Sequence, residues 1–120
     1  MLKYFLLLFA SAIFVGAAPV DDIESLLHYV GALQGAAFIR NGESHTPTEA
    51  EAHLRLKWTK QKDQIGSAED FIRLCGTKSS VSGKPYIIRF SDGHEEAASD
   101  VLSRQLLIFR GASKTDPRAR

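Results

Sequence analysis

The sequence predicts an α+β fold, mostly helical, with about four helices packed on a minimal two-stranded antiparallel sheet. Three observations lead there. Apolar residues recur at helical spacing in four separate stretches. One run, Tyr86-Ile87-Ile88-Arg89-Phe90, is β-branched and aromatic and stops at Ser91-Asp92-Gly93, as a strand does. The backbone groups of that strand need a partner, and the short apolar piece around residues 37–40 is the candidate.

Residues 1–17 stand apart as a cleavable export signal. Lys3 supplies the positive n-region, residues 5–15 (FLLLFASAIFV) form the apolar h-region, and Gly16-Ala17-Ala18 offers small residues to a signal peptidase. Cleavage after Ala17 puts Val15 and Ala17 in the two specificity positions, whereas cleavage after Ala18 would leave Pro19 just past the cut. An uncleaved anchor competes with this reading, but a span needs about 20 apolar residues. The run here ends near Ala18 and is closed by Pro19 and Asp21-Asp22. With no Cys at the junction, a lipid anchor is disfavoured. The expected product is periplasmic or secreted, touching a membrane only through this segment before cleavage. A single domain over residues 18–110 and a flexible tail over 111–120 complete the expected organisation.

In chain order, Asp21 with Glu24 three residues on reads as a helix start. Ile23, Leu26, Leu27, Val30 and Leu33 then form one stripe, with Gly35 as the stop. After the extended piece, Asn41-Gly42 signals a turn. Thr46-Pro47-Thr48-Glu49 is the clearest helix start: Thr46 caps, Pro47 suits the first helical position and Glu49 closes a capping box. That helix runs to about Lys60, with Ala50, Leu54 and Trp58 inward, Leu56 off that line, and His53 and Lys57 beside the apolar face. Ser67 caps a third helix whose stripe is Ala68, Phe71, Ile72 and Cys75, stopped by Gly76. Residues 77–85 (TKSSVSGKP) are polar and aperiodic, hence a loop. A last helix is expected over residues 95–109, with Ala98, Val101, Leu102, Leu106 and Phe109 inward.

Of 15 basic residues only Lys3 falls in the signal, and none of the 14 acidic ones does, so the mature chain is formally neutral. Neutrality without a long basic run gives no electrostatic reason to expect nucleic acid. Cys75 is the only cysteine, so no internal disulfide can form. In an oxidising compartment an exposed thiol would be a liability, and Cys75 is expected to be buried. A monomer is expected, with a Cys75-linked dimer as the alternative.

Several landmarks fall in order along the chain. They are Phe38-Ile39-Arg40-Asn41-Gly42, His45, Glu49-Ala50 and His53-Leu54-Arg55-Leu56-Lys57, followed by Ala68-Glu69-Asp70-Phe71-Ile72 and Ser79-Ser80-Val81-Ser82-Gly83-Lys84-Pro85-Tyr86-Ile87-Ile88. In this order and spacing they resemble the YfeK-like family of short exported bacterial proteins of unknown function. The resemblance implies a Gram-negative envelope or secreted setting and one compact domain. It carries over no catalytic or binding residue.

Three constellations invite chemistry. His45, Glu49 and His53, at i, i+4 and i+8, are ligand-type residues that would suit a transition metal. However, His45 precedes the Thr46 cap, Glu49 has a role in that cap, and the register is not that of H-E-x-x-H. Cys75 with His53 would make a thiol nucleophile and its base, but Cys75 lies on an apolar line that disfavours a thiolate. Ser79-Ser80-Val81-Ser82-Gly83-Lys84 joins Gly, Lys and hydroxyls, yet it leads from a helix into a strand and lacks the phosphate-loop pattern. Its serines suit local backbone satisfaction, and equally the recognition of a polar ligand from a loop on a rigid scaffold.

No cofactor or metal is expected, and the candidate binding residues are Arg40, Asn41, His53, Ser79, Ser80, Ser82, Lys84 and Tyr86. If the two extended segments pair, Arg40 and the 84–86 region approach one another. The expectation is a non-catalytic binding or interaction module for a protein, peptide or glycan of the cell envelope. The alternative is an envelope hydrolase or metal-dependent enzyme using His45, Glu49 and His53, or Cys75.

Overall fold

In the computed structural model, which describes residues 18–114, Asn41 and Gly42 both take positive φ, 54° and 81°. A two-residue type I′ hairpin turn requires that pairing. It folds β1 (Ala37–Arg40) directly back onto β2 (Glu43–His45), with Phe38 opposite His45 and Arg40 opposite Glu43. β1 also pairs antiparallel with β3 (Ile87–Arg89), Phe38 facing Ile88. Beyond β3 the chain turns through residues 91–93, where Gly93 at φ 94° closes the hairpin. Its second strand, β4 (Glu95–Ala97), is again antiparallel.

The sheet therefore has four strands in the order β2-β1-β3-β4, not two. The predicted β1–β3 pairing is its centre, and the unforeseen strands are its edges. Both edges are short and polar, Glu-Ser-His and Glu-Glu-Ala. Such composition protects an edge from unwanted pairing and also hides it from a reading based on hydrophobic alternation. The sequence pattern places residues 95–97 in the last helix for that reason, whereas they form β4.

Four helices pack with this sheet around a common core: α1 (Pro19–Gly31), α2 (Pro47–Lys60), α3 (Ala68–Cys75) and α4 (Ala98–Lys114). α1 starts two residues before Asp21. Ala18 occupies the cap position without a side-chain bond, and Pro19 opens the helix. Asp21 and Asp22 thereby fall in the first turn, where the helix dipole favours negative charge. α2 starts as predicted: Glu49 N donates to Thr46 Oγ1 (3.1 Å) and Thr46 N to Glu49 Oε1 (3.0 Å). α3 is capped by Ser67 Oγ accepting from Asp70 N. α4 continues through Gly111 to Lys114, past the expected end at residue 109.

The helical stripes and the sheet meet in one core. Ile23, Leu26, Leu27, Phe71, Cys75, Ile88, Val101 and Leu102 are almost wholly sealed from solvent. Each large apolar side chain buried there contributes roughly 1.5–3 kcal/mol. Trp58 meets Phe71 edge-on, ring centroids 6.2 Å apart. No helix among the described residues is long and apolar enough to cross a membrane. The predicted export signal lies outside the described residues.

Candidate functional site

α2 presents His53, Lys57 and Lys60 at i, i+4 and i+7, one line along the helix. The loop over residues 77–85 closes over that line. Its frame is main-chain bonding: Tyr86 N to Thr77 O (3.0 Å), Ser79 N to Lys84 O (3.0 Å) and Gly83 N to Ser79 O (2.9 Å). Ser79 Oγ, buried, accepts from Val81 N (3.1 Å) and Ser82 N (3.3 Å). Ser82 Oγ donates to Asn41 Oδ1, tying the loop to the β1–β2 turn. The β1–β3 register, with Ile39 opposite Ile87, sets Arg40 beside Tyr86 one step further on.

These elements enclose a cleft of about 430 Å³ lined by Arg40, His53, Lys57, Lys60, Ser79, Ser80, Val81 and Tyr86, with Leu56 and Gln61 at its side. None of its lining residues is acidic. Lys57 is only 7% exposed. Its ammonium donates to Tyr86 Oη (3.0 Å) and to the Lys78 carbonyl (3.1 Å). Tyr86 Oη also lies 3.1 Å from His53 Nε2. A neutral His53 accepting the phenol proton lets Lys57 donate to Tyr86 and Tyr86 donate to His53, and leaves the ring proton on Nδ1. The electrostatics agree: burial first, then the charges of Arg40, Lys57, His45 and Lys60, hold His53 below the ordinary imidazole range.

Among the described residues, no carboxylate lies within ion-pair distance of Arg40, Lys57 or Lys60. The other five arginines of the described chain, Arg55, Arg73, Arg89, Arg104 and Arg110, all have one.

A second, smaller cavity of about 40 Å³ shares Arg40, His53 and Tyr86 with the cleft. Its other walls are chiefly apolar, including Val30, Phe38, Ala50, Leu54, Ile88 and Leu102. One polar atom stands out there: His45 Nε2, buried and without a hydrogen-bond partner among the described residues.

Of the residues predicted from sequence, Arg40, His53, Ser79, Ser80 and Tyr86 come together in the cleft. Asn41 and Ser82 bond each other beside it. Lys84 is exposed and is not among the lining residues, because the turn at Gly83 (φ 74°) reverses the chain before it. Lys57 and Lys60 were missed as site residues. The helical spacing from His53 was the available signal, but lysine is rarely fully buried.

The enzymatic alternatives take a different shape in space. His45 ends β2 and leaves the α2 line; its Nδ1 is 3.7 Å from Glu49 Oε1, which already accepts from Thr46 N. Cys75 is fully buried, and burial pushes its thiol up, with Lys57 offsetting only part of the effect. Neither cavity that His53 lines includes Cys75.

The model of the Family of unknown function (DUF5329) matches residues 17–110, a span containing every residue of the cleft. The chain belongs to this family. Uncharacterized protein YfeK of Salmonella typhimurium (strain LT2) is 38% identical over 72 residues. That alignment spans 60% of this chain and 60% of the relative's length. The ordered landmarks of the sequence are thus those of a YfeK-like protein of this family. No solved structure matches the chain.

Proposed function

We propose that this chain is a small exported, non-catalytic binding module, and that its cleft holds a small oxyanion borne by a ligand of the cell envelope. Lys57 is the observation that carries this reading. A cation removed from water without a counter-charge is costly, several kcal/mol after relaxation, and the hydrogen bonds to Tyr86 and Lys78 bring no negative charge. An ammonium has three donors, so one remains for a ligand beyond the two bonds described. Arg40 adds a planar fork suited to carboxylate or phosphate, and Lys60 and the Ser80 hydroxyl stand at the same cleft. An oxyanion there would supply the charge that the chain itself omits.

Absence of catalysis is part of the reading because the available nucleophile and base are otherwise committed. Cys75 is sealed in the core, and His53 Nε2 is engaged with Tyr86. Titrating the mature chain with inorganic phosphate and with acetate, followed by backbone amide NMR shifts, tests the binding claim. Saturable shifts should centre on Arg40, Lys57 and residues 79–82, and Arg40→Met should weaken them about tenfold or more, the loss of one charged hydrogen-bond partner. Shifts scattered over the surface, or unchanged in the variant, would sink the proposal.

A further inference from the structure

The cleft and the small cavity share a wall of Arg40, His53 and Tyr86, so a cationic compartment lies beside a chiefly apolar one, which His45 and Glu49 also line. From this juxtaposition we infer that the ligand is a carboxylate with a small apolar group on the carbon next to it, such as a free short-chain acid or the end of a peptide. This inference rests on the oxyanion reading above and deepens it.

Size limits the apolar group. One water occupies about 10–15 Å³ of such a cavity, so about 40 Å³ admits a methyl to isopropyl group and no long acyl chain. Chemistry limits the charged group. With the apolar cavity adjoining the cationic wall, a ligand that fills both carries its apolar substituent close to the charge. A carboxylate meets that condition because its charged carbon bonds directly to the next carbon. A phosphate ester interposes an oxygen.

Two further features fit. His45 Nε2, buried, 4.0 Å from Glu43 Oε1 and without a hydrogen-bond partner among the described residues, belongs to a residue that lines the cavity. Leu56 and Val81, which line the cleft, are 52% and 91% exposed. They give the outer part of a longer ligand an apolar surface beside the cations.

The test is a calorimetric series on the mature chain with inorganic phosphate, N-acetylglycine, N-acetylalanine, N-acetylalaninamide and an acetylated Gly-Gly-Ala acid. N-acetylalanine should bind about fourfold tighter than N-acetylglycine, the worth of one buried methyl-sized group. The amide should show no saturable binding. Ala50→Leu, which fills the small cavity, should erase the alanine preference while leaving phosphate affinity unchanged. If that variant does not fold, the glycine-to-alanine ratio and the amide on the wild-type chain decide alone.

Equal affinity for the glycine and alanine acids, with phosphate still bound, would overturn this inference and leave the oxyanion reading standing. If neither phosphate nor any acid binds, both fall. Tighter binding of Gly-Gly-Ala than of N-acetylalanine would support the inference with a peptide end as the source. Equal binding of those two would support it with a free acid.

Discussion

Across the helical side of the molecule and the β3–β4 hairpin, arginines are matched with carboxylates. Arg55 bridges Glu24 and Glu51, Arg110 joins α4 to Asp22 and Glu69, and Arg89 and Arg104 hold Glu95 and Glu96. In the cleft under the 77–85 loop, Arg40, Lys57 and Lys60 meet no carboxylate of the described chain. The histidines register the same contrast. His94 lies between Asp92 (2.6 Å) and Glu96 (2.9 Å), and its bonds to them, Glu96 first, hold it above the ordinary imidazole range. Burial first, then the neighbouring charges of which Arg40 and Lys57 lead, hold His53 below it. A chain of formal net charge +1 can thus concentrate positive charge in one place, and net charge alone gives no hint of it.

The largest expected effect comes from removing the buried cation. Lys57→Met keeps the length and apolar stem of the side chain and should weaken phosphate or carboxylate binding roughly 10- to 100-fold, the range for a charged hydrogen bond. Stability in urea should change little, because relief of the buried charge is offset by the Tyr86 hydroxyl and Lys78 carbonyl losing their donor. A large loss of stability would mean that Lys57 serves the fold, and the contrast between the two regions would break.

Arg55→Met probes the matched side. Its ion pairs are partly exposed, so the expected cost is only about 0.5–1 kcal/mol. Anion affinity should be unaffected. Altered binding in this variant would show that the two regions are coupled.

The smallest effects concern pH, and the two histidines should give opposite slopes. His94 binds its proton more tightly folded than unfolded. Its contribution is full below the unfolded value of about 6.5 and is lost as pH rises through the higher folded value. His53 binds its proton less tightly folded, so its effect is to lose stability as pH falls below about 6.5. Urea midpoints between pH 5 and 8 should show the two slopes, one removed by His94→Gln and the other by His53→Gln. Profiles that both substitutions leave unchanged would sink the assignment.

Much of the fold was legible because local chemistry and packing agree. The Thr46–Glu49 capping box, the Ala68-Phe71-Ile72-Cys75 stripe and the β1–β3 pairing each rest on patterns that tertiary structure reinforces. β2 and β4 were not legible, because edge strands made of Glu, Ser, His and Ala carry no apolar alternation. Part of the candidate site was visible because Arg40 and Tyr86 flank strands whose pairing was foreseeable. Lys57 was not, since its burial depends on a loop closing over α2 from 21 and 29 residues further on in the chain. Lys84 does not line the cleft, and composition cannot tell which way a loop aims a side chain.

The loop over residues 77–85 has a consequence for divergence. Main-chain bonds and the buried Ser79 hydroxyl hold its shape, while Ser80 and Val81 present exposed side chains at the cleft. Residues at those two positions can be exchanged without disturbing the bonds that keep the loop closed. Under the proposed oxyanion reading, ligand preference can therefore change at these two positions while the helices and sheet beneath stay as they are.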